Sequence, residues 1–175
     1  MKITGLKPLF TAEQIERRLD ELAASINTLY AGEPLVVVCV LKGAFMFFSD
    51  LVKRLTCEPE LDFVRLASYG KGTRNNAITF SKDVELSLEG KHVLIVEDII
   101  DTGHSMDFLF RQLAARGARS LRLAVLIDKH ERREVPVTAH FVGFGLPGGF
   151  IVGYGLDCAE RYRELPALYE AEVQD

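Results

Sequence analysis

Apolar residues recur along the chain in two patterns, one with the period of a helix and one made of short continuous runs. In the first pattern the apolar residues follow one another at steps of four and three, which predicts an amphipathic helix. The residues on this face are Ile15, Leu19, Leu22, Ile26 and Leu29. Residues 11–14 (TAEQ) match a capping box, so the helix is expected to begin there and to end near Gly32.

The continuous apolar runs predict strands that are buried on both faces of a parallel sheet. The clearest continuous run lies at residues 35–41, and further strands are predicted at residues 61–68, 92–97 and 121–127. Helical patterns at residues 44–55 and 106–117 separate them. Because strands and helices alternate, we expect an α/β fold with a doubly wound, mostly parallel sheet flanked by helices. The 175 residues, of which 48% are hydrophobic, suffice for one such domain spanning residues 1–175.

Several other stretches are less regular. Residues 69–82 are polar and predict a long loop of the kind that often acts as a functional lid. Residues 84–88 alternate and predict an edge strand, and residues 160–170 predict a short terminal helix. Residues 143–148 match GxGxxG, but Pro147 lies inside the match and no helical pattern follows, which argues against a dinucleotide site.

The composition excludes several classes of protein. A net charge of −4 and a pI near 5.6 argue against a nucleic-acid-binding protein, which normally carries a basic stripe. The start of the chain lacks the apolar core of a signal peptide, and the apolar runs are too short to span a bilayer. Three widely spaced cysteines are typical of a reducing compartment. We therefore expect a cytoplasmic protein with no membrane or nucleic-acid partner.

The block at residues 92–110, HVLIVEDIIDTGHSMDFLF, combines a buried strand, three acids and a polar loop that opens a helix. In an open α/β sheet, ligands bind where the strands end. Small and hydroxyl residues at a helix start offer backbone N–H groups to phosphate, and carboxylates just upstream suit Mg²⁺ or sugar hydroxyls. The block predicts a site for a phosphorylated sugar and a metal. The alternative is an ordinary strand–helix junction with solvated acids and a capped helix.

The same block closely resembles the VLIVEDIIDTG signature of purine phosphoribosyltransferases. Further matches occur in the family's order. They are Leu41-Lys42-Gly43, Ser68-Tyr69, Lys129, the stretch FIVGYGLD at residues 150–157, and Arg163. On these motifs, residues 36–165 are identified as similar to the hypoxanthine-type members. The resemblance implies the type I phosphoribosyltransferase fold, a parallel sheet with helices and a small hood formed by the chain ends.

The resemblance also implies a reaction. Enzymes of this family transfer phosphoribose from 5-phosphoribosyl 1-pyrophosphate to N9 of a 6-oxopurine such as hypoxanthine or guanine, release pyrophosphate and use Mg²⁺. They are usually homodimers or homotetramers. One alternative is a transferase that prefers xanthine or guanine, and another is a regulator of the same fold that binds nucleotide or RNA without turnover. Asp101 argues against the regulator, since pyrimidine-operon regulators resemble DVLYTGRT in this block and lack an acid at that position.

The roles of the acids and of the polar loop follow from the same resemblance. Asp101 matches the general base that handles the proton on N7 of the purine. Glu97 and Asp98 match residues that hold the ribose hydroxyls, which themselves bind Mg²⁺. The loop that would wrap the 5′-phosphate consists of Asp101, Thr102, Gly103, His104 and Ser105. His104 stands where relatives often have lysine or asparagine.

The implied pyrophosphate contacts lie elsewhere in the chain. They are the Lys42 backbone, at a peptide that is often cis in the family, together with Gly43 and Arg163. Ser68 and Tyr69 match the base of the loop that closes over the reacting centre.

The purine would be recognised by a third set of residues. Lys129 matches the lysine that donates to the purine O6 and so selects oxopurines over aminopurines. Phe150 would stack on the ring, and Ile151 would contact its edge through the backbone. Asp157 would meet a second Mg²⁺ or, through its carbonyl, an exocyclic amine.

Overall fold

The computed structural model describes residues 2–69 and 77–174, which contain two sheets and three helices. The strands are β1 (Lys2–Phe10), β2 (Leu35–Leu41), β3 (Glu60–Tyr69), β4 (Ala77–Lys82), β5 (His92–Ile100), β6 (Ser120–Lys129), β7 (Phe141–Leu146), β8 (Ile151–Val152) and β9 (Leu168–Gln174). The helices are α1 (Ala12–Leu29), α2 (Phe45–Val52) and α3 (His104–Ala114).

The main sheet confirms the predicted architecture. Its order is β4-β3-β2-β5-β6-β7, and every neighbouring pair is parallel except β3 and β4. Alternate residues of β2 enter two different cores: Val37 packs with side chains of α1 and α2, whereas Val38 packs with side chains of α3. Helices therefore cover both faces, which explains why the central strand β2 is an unbroken apolar run.

The helices begin and end close to the predicted positions. Thr11 caps α1 in a complete capping box, since its hydroxyl accepts from Gln14 N at 3.3 Å and its own N–H donates to Gln14 Oε1 at 2.8 Å. Helix α2 is shorter than predicted and ends at Val52. Helix α3 begins at His104, earlier than the apolar pattern indicated. In the described ranges, no helix is long and apolar enough to cross a membrane.

The chain ends form a second sheet of order β1-β9-β8, with antiparallel pairing throughout. This is the hood that the resemblance implied. The prediction of a helix at residues 160–170 is wrong, because from Leu168 onward the chain is strand β9, paired with β1 along its length. Leu168 and Ala171 are buried in this sheet. The partner strand lies at the opposite end of the chain, so no local pattern reveals the pairing.

The predicted edge strand at residues 84–88 is also wrong. The true edge strand is β4, which lies inside the stretch predicted to be a loop. Val84 and Leu86 alternate because both pack against the core on the α3 face. The backbone N–H groups of Glu85 and Leu86 donate to the buried Asp62 carboxylate, at 2.7 and 2.9 Å, instead of to a neighbouring strand. The rest of the predicted loop, residues 70–76, lies outside the described residues.

Candidate active site

Two adjoining cavities open at the carboxyl ends of β5 and β6. Their volumes are about 490 and 180 Å³, and Asp98, Ile99 and Asp101 line both. The larger cavity is also lined by the residues predicted to bind the purine, namely Lys129, Phe150, Ile151 and Asp157. The smaller cavity is also lined by Glu97 and the predicted phosphate loop, namely Thr102, Gly103 and Ser105. Distant segments therefore meet at the sheet edge where ligands are expected.

Glu97 and Asp98 form a crowded acidic pair in β5. Asp98 N donates to Glu97 Oε1 at 3.0 Å, and Ile99 N donates to Asp98 Oδ1 at 2.8 Å. Burial, reinforced by the neighbouring Asp98 carboxylate, raises the pKa of Glu97 well above its usual range. Burial also raises the pKa of Asp98, although hydrogen bonds and the Arg163 charge oppose it. Such a pair gains from any cation or hydroxyl donor placed between its oxygens.

Two glycines allow the Asp98 carboxylate to lie against the end of β2. The Leu41–Lys42 peptide is cis, and Gly43 follows it. A Cβ atom on Gly43 would lie 1.7 Å from Asp98 Oδ2, and a Cβ atom on Gly155 would lie 2.1 Å from the Gly43 carbonyl oxygen. Gly155 therefore requires glycine, since a Cβ atom there would meet backbone and its φ is +101°, whereas a Cβ atom at Gly43 would have to push the Asp98 carboxylate aside.

The loop at residues 101–105 has the features of a phosphate-binding helix start. Gly103 has φ +94°, and no side chain of the described residues caps α3, so its first backbone N–H groups are available to an anion. The Thr102 carbonyl accepts from Glu134 N at 2.9 Å and Val135 N at 3.0 Å, which fixes the loop. His104 Nε2 lies 2.8 Å from Glu134 Oε2, so its imidazole is engaged outside the loop.

The two carboxylate oxygens of Asp101 differ in their surroundings. Arg132 Nη1 donates to Oδ2 at 3.0 Å. Oδ1 is buried and accepts no hydrogen bond from any residue that the structure describes. Asp101 lines both cavities and has one acceptor, the buried Oδ1, that no described residue satisfies.

Arg133 is a site residue that the sequence analysis missed. Its guanidinium donates to the carbonyl of Asp101 at 3.1 Å and to the carbonyl of Lys129 at 3.0 Å, and it pairs with the Asp128 carboxylate. It therefore joins the phosphate loop to the end of β6. The sequence signal that could have indicated Arg133 was the run of charged residues after Lys129. Such runs usually lie on the solvated surface, so the signal is weak.

Lys129 is the last residue of β6, and its largely buried side chain lines the larger cavity. Burial lowers the pKa of its ammonium group, the charge of Asp101 opposes that shift, and Arg132 adds to it. The Phe150 carbonyl accepts from Ala171 N at 2.7 Å, so strand β9 of the hood supports the predicted purine contacts.

A network of charged side chains surrounds the predicted pyrophosphate contacts. Arg163 donates to the Gly155 carbonyl at 2.7 Å and pairs with Asp157 Oδ1 at 2.7 Å. Glu160 Oε2 accepts from Lys42 Nζ at 2.9 Å and from Arg163 Nη2 at 3.1 Å. Glu160 was not singled out from the sequence, because its position depends on the turn that follows Asp157.

Ser68 and Tyr69 lie at the end of β3, and their backbones are in register with Ile78 and Ala77 of β4. The loop that they were predicted to anchor continues through residues 70–76, outside the described residues. Closure of this loop over the site stays a prediction.

The acids fit a Mg²⁺ ion shared with a phosphorylated substrate better than an all-protein metal site. Residues 2–69 and 77–174 contain no cluster of three or more histidine, cysteine, aspartate or glutamate side chains arranged to hold a metal. Asp98 and Asp157 line the larger cavity, and Glu97 lines the smaller one. Mg²⁺ typically binds one or two carboxylates together with substrate phosphates and water.

The chain is similar to known proteins over nearly its full length. A model of the phosphoribosyl transferase domain matches residues 6–158. A hypoxanthine-guanine phosphoribosyltransferase of Aquifex aeolicus is 44% identical over 169 residues, which cover 95% of each chain. A hypoxanthine phosphoribosyltransferase of Haemophilus influenzae is 41% identical over 179 residues and 100% of each chain. The structure of a hypoxanthine phosphoribosyltransferase from Staphylococcus aureus matches with a TM-score of 0.91 at 39% identity, covering 97% of this chain and 92% of that one.

Proposed function

We propose a function on the premise that the chain belongs to the phosphoribosyl transferase family. It is a purine salvage enzyme that transfers phosphoribose from 5-phosphoribosyl 1-pyrophosphate to N9 of hypoxanthine or guanine and releases pyrophosphate. The observation that carries this function is the single cavity in which Asp101, Lys129 and Phe150 meet. An acid, a buried lysine and an aromatic ring are the groups needed to deprotonate, select and stack on an oxopurine.

In the proposed mechanism, purine N9 forms a bond to C1′ of the ribose as the bond from C1′ to the pyrophosphate oxygen breaks. The proton on N7 passes to the carboxylate of Asp101, a residue that lines both cavities. Glu97 and Asp98 hold the ribose hydroxyls and so orient C1′ toward the purine. The backbone N–H groups that follow Gly103 bind the 5′-phosphate.

Mg²⁺ is the proposed cofactor. When bound, it neutralises charge on the donor's pyrophosphate group and stabilises that group as it leaves. Asp157 would hold it from the larger cavity, and Glu97 and Asp98 would act on it through the ribose hydroxyls that they bind. The raised pKa of Glu97 supports this arrangement, because the crowded acids favour a cation nearby.

Purified protein supplied with Mg²⁺ and 5-phosphoribosyl 1-pyrophosphate is expected to convert hypoxanthine to its 5′-monophosphate, with kcat on the order of 1–10³ s⁻¹. Steady-state kinetics with hypoxanthine, guanine, xanthine and adenine would rank the acceptors, and a chelator provides the control for Mg²⁺. Absence of turnover with every oxopurine would exclude the proposed function. A clear preference for xanthine would favour the alternative transferase.

Lys129→Ala is expected to reduce the preference for hypoxanthine over adenine by roughly 10- to 100-fold, because a hydrogen bond from a charged donor to the purine O6 is lost. The measurement is the ratio of kcat/KM for the two purines. Lys91→Ala is the matched control. Lys91 pairs with Glu60 and immediately precedes β5, so it lies at the amino end of that strand, whereas the cavities open at its carboxyl end. Unchanged selectivity in the Lys129 variant would refute the contact with O6.

We also propose that residues 1–175 act as one domain in a cytoplasmic homodimer or homotetramer, the usual assemblies of the family. The three widely spaced cysteines support a reducing compartment. Sedimentation equilibrium of the purified protein would determine the number of subunits.

A further inference from the structure

The Glu160 carboxylate lies between the ammonium group of Lys42, whose backbone is predicted to meet pyrophosphate, and the guanidinium group of Arg163, which is predicted to meet it directly. Its Oε2 accepts from Lys42 Nζ at 2.9 Å and from Arg163 Nη2 at 3.1 Å. These cations come from different parts of the fold, one after β2 and the other after the FIVGYGLD stretch. Glu160 N also donates to Asp157 Oδ2 at 2.8 Å. A single carboxylate oxygen therefore joins both sides of the predicted anion site.

A tight turn of unusual backbone geometry presents this carboxylate. Cys158 and Arg161 exchange backbone hydrogen bonds of 3.0 and 3.1 Å. The two residues between them, Ala159 and Glu160, have φ of 51° and 64°. Two successive positive φ values define a turn that favours asparagine and glycine, and neither residue type is present here. Such an outlier beside a binding site points to a functional constraint on the turn.

Several protein acceptors hold the guanidinium group of Arg163. Its Nη atoms serve Gly155, Asp157 and Glu160. Its Nε is buried and donates to no described residue. A guanidinium group is a rigid fork suited to two phosphate oxygens at once. Because Nε is buried and both Nη groups already donate to protein acceptors, an anion can reach this guanidinium only by displacing one of them, and Glu160 is the more exposed of the two paired carboxylates.

We propose that Glu160 is an internal competitor of pyrophosphate, occupying with its own carboxylate the place between Lys42 and Arg163 that a phosphate group takes during turnover. The inference rests on the proposed function and on the prediction that the Lys42 backbone and Arg163 meet pyrophosphate. Glu160 must leave both cations before the donor binds and can return to them as pyrophosphate departs. The carboxylate thus weakens binding of the diphosphate while keeping the two cations paired and in place.

The exposure of the network makes this exchange feasible. The Glu160 side chain is 63% exposed and that of Lys42 is 46% exposed, whereas that of Arg163 is only 18% exposed. Exposed ion pairs are weak and are readily exchanged for stronger ones. Hydrogen bonds from Lys42 and Arg163 lower the pKa of Glu160, so the competing group is the charged carboxylate at neutral pH. Pyrophosphate carries more negative charge than one carboxylate and can therefore replace it.

The test is calorimetric binding of pyrophosphate, in the presence of Mg²⁺, to the wild type and to Glu160→Gln, which removes the charge but keeps the shape of the side chain. The Kd of pyrophosphate is expected to fall roughly fivefold in the variant. The Kd of hypoxanthine 5′-monophosphate should not change, because its phosphate binds at the loop that begins with Asp101. The control is Glu164→Gln, which removes a charge from an exposed neighbour on the same segment.

Equal or weaker binding of pyrophosphate to the Glu160 variant would overturn the inference, since the carboxylate would then position the two cations without competing for them. An equal gain in the Glu164 variant would also overturn it, because net charge alone would account for the effect. If the wild type neither binds pyrophosphate nor turns over an oxopurine, the proposed function itself fails. If the wild type does both, the Glu160 comparison decides the inference alone.

Discussion

Asp101→Asn is expected to lower kcat by about 10²–10⁴-fold, while the Kd of 5-phosphoribosyl 1-pyrophosphate stays close to that of the wild type. Asparagine keeps the size of the side chain and can still accept a hydrogen bond from Arg132. Its amide cannot take the proton from purine N7, which is the role proposed for the Asp101 carboxylate at the larger cavity. Steady-state kinetics combined with equilibrium binding of the donor separates the loss in kcat from any loss in affinity.

Asp107→Asn is the matched control for this variant. Asp107 lies in the first turn of α3, near the loop, but its carboxylate pairs with Arg111. The control should retain the wild-type kcat. A wild-type-like kcat in the Asp101 variant would remove Asp101 from the base role, and an equal loss in both variants would attribute the effect to local charge.

The parallel sheet could be predicted because its signal is local. A strand covered by helices on both faces needs apolar residues at every position, and the run at residues 35–41 meets that requirement. The capping box at Thr11 is equally local, since both of its hydrogen bonds join residues within one turn. Such features depend on short segments of sequence and can be predicted from them.

The hood strands and the true edge strand could not be predicted in this way. Strand β1 contains glycine, proline and lysine, and it is stabilised by pairing with β9 at the far end of the chain. Residues 84–88 have the period of a strand, but the Asp62 carboxylate takes the backbone N–H groups of Glu85 and Leu86. In both cases the structure of the segment depends on a partner that is distant in sequence. The residues of the segment alone do not reveal that partner.

The residues of the candidate site also divide into those that a local motif predicts and those that only the folded chain brings into the site. The acids and the predicted phosphate loop form one contiguous block, and Asp98 and Asp101 line both cavities. Arg133 and Glu160 were missed because their importance comes from contacts across segments, such as the bonds of Arg133 to the carbonyls of Asp101 and Lys129. A sequence motif identifies residues within one segment, whereas these contacts form only when distant segments come together in the folded chain.

Gly43→Ala is expected to lower kcat/KM for 5-phosphoribosyl 1-pyrophosphate by roughly 10²-fold or more, because a small displacement of a positioning group has effects of that size. The new Cβ would lie 1.7 Å from Asp98 Oδ2, so the carboxylate that is proposed to hold the ribose must move. The backbone of Gly43 has little room to yield, since its carbonyl is packed closely against Gly155. Steady-state kinetics with varied donor concentration measures the loss.

The control is Gly145→Ala, where a Cβ would meet only His130 Nε2, at an ordinary 3.4 Å, and kcat/KM should be unchanged. A double-mutant cycle with Asp98→Ala tests the cause. If the alanine at position 43 acts by displacing Asp98, the double variant should be no worse than Asp98→Ala alone. Additive losses would contradict this account and would place the effect of Gly43 on the backbone that meets pyrophosphate.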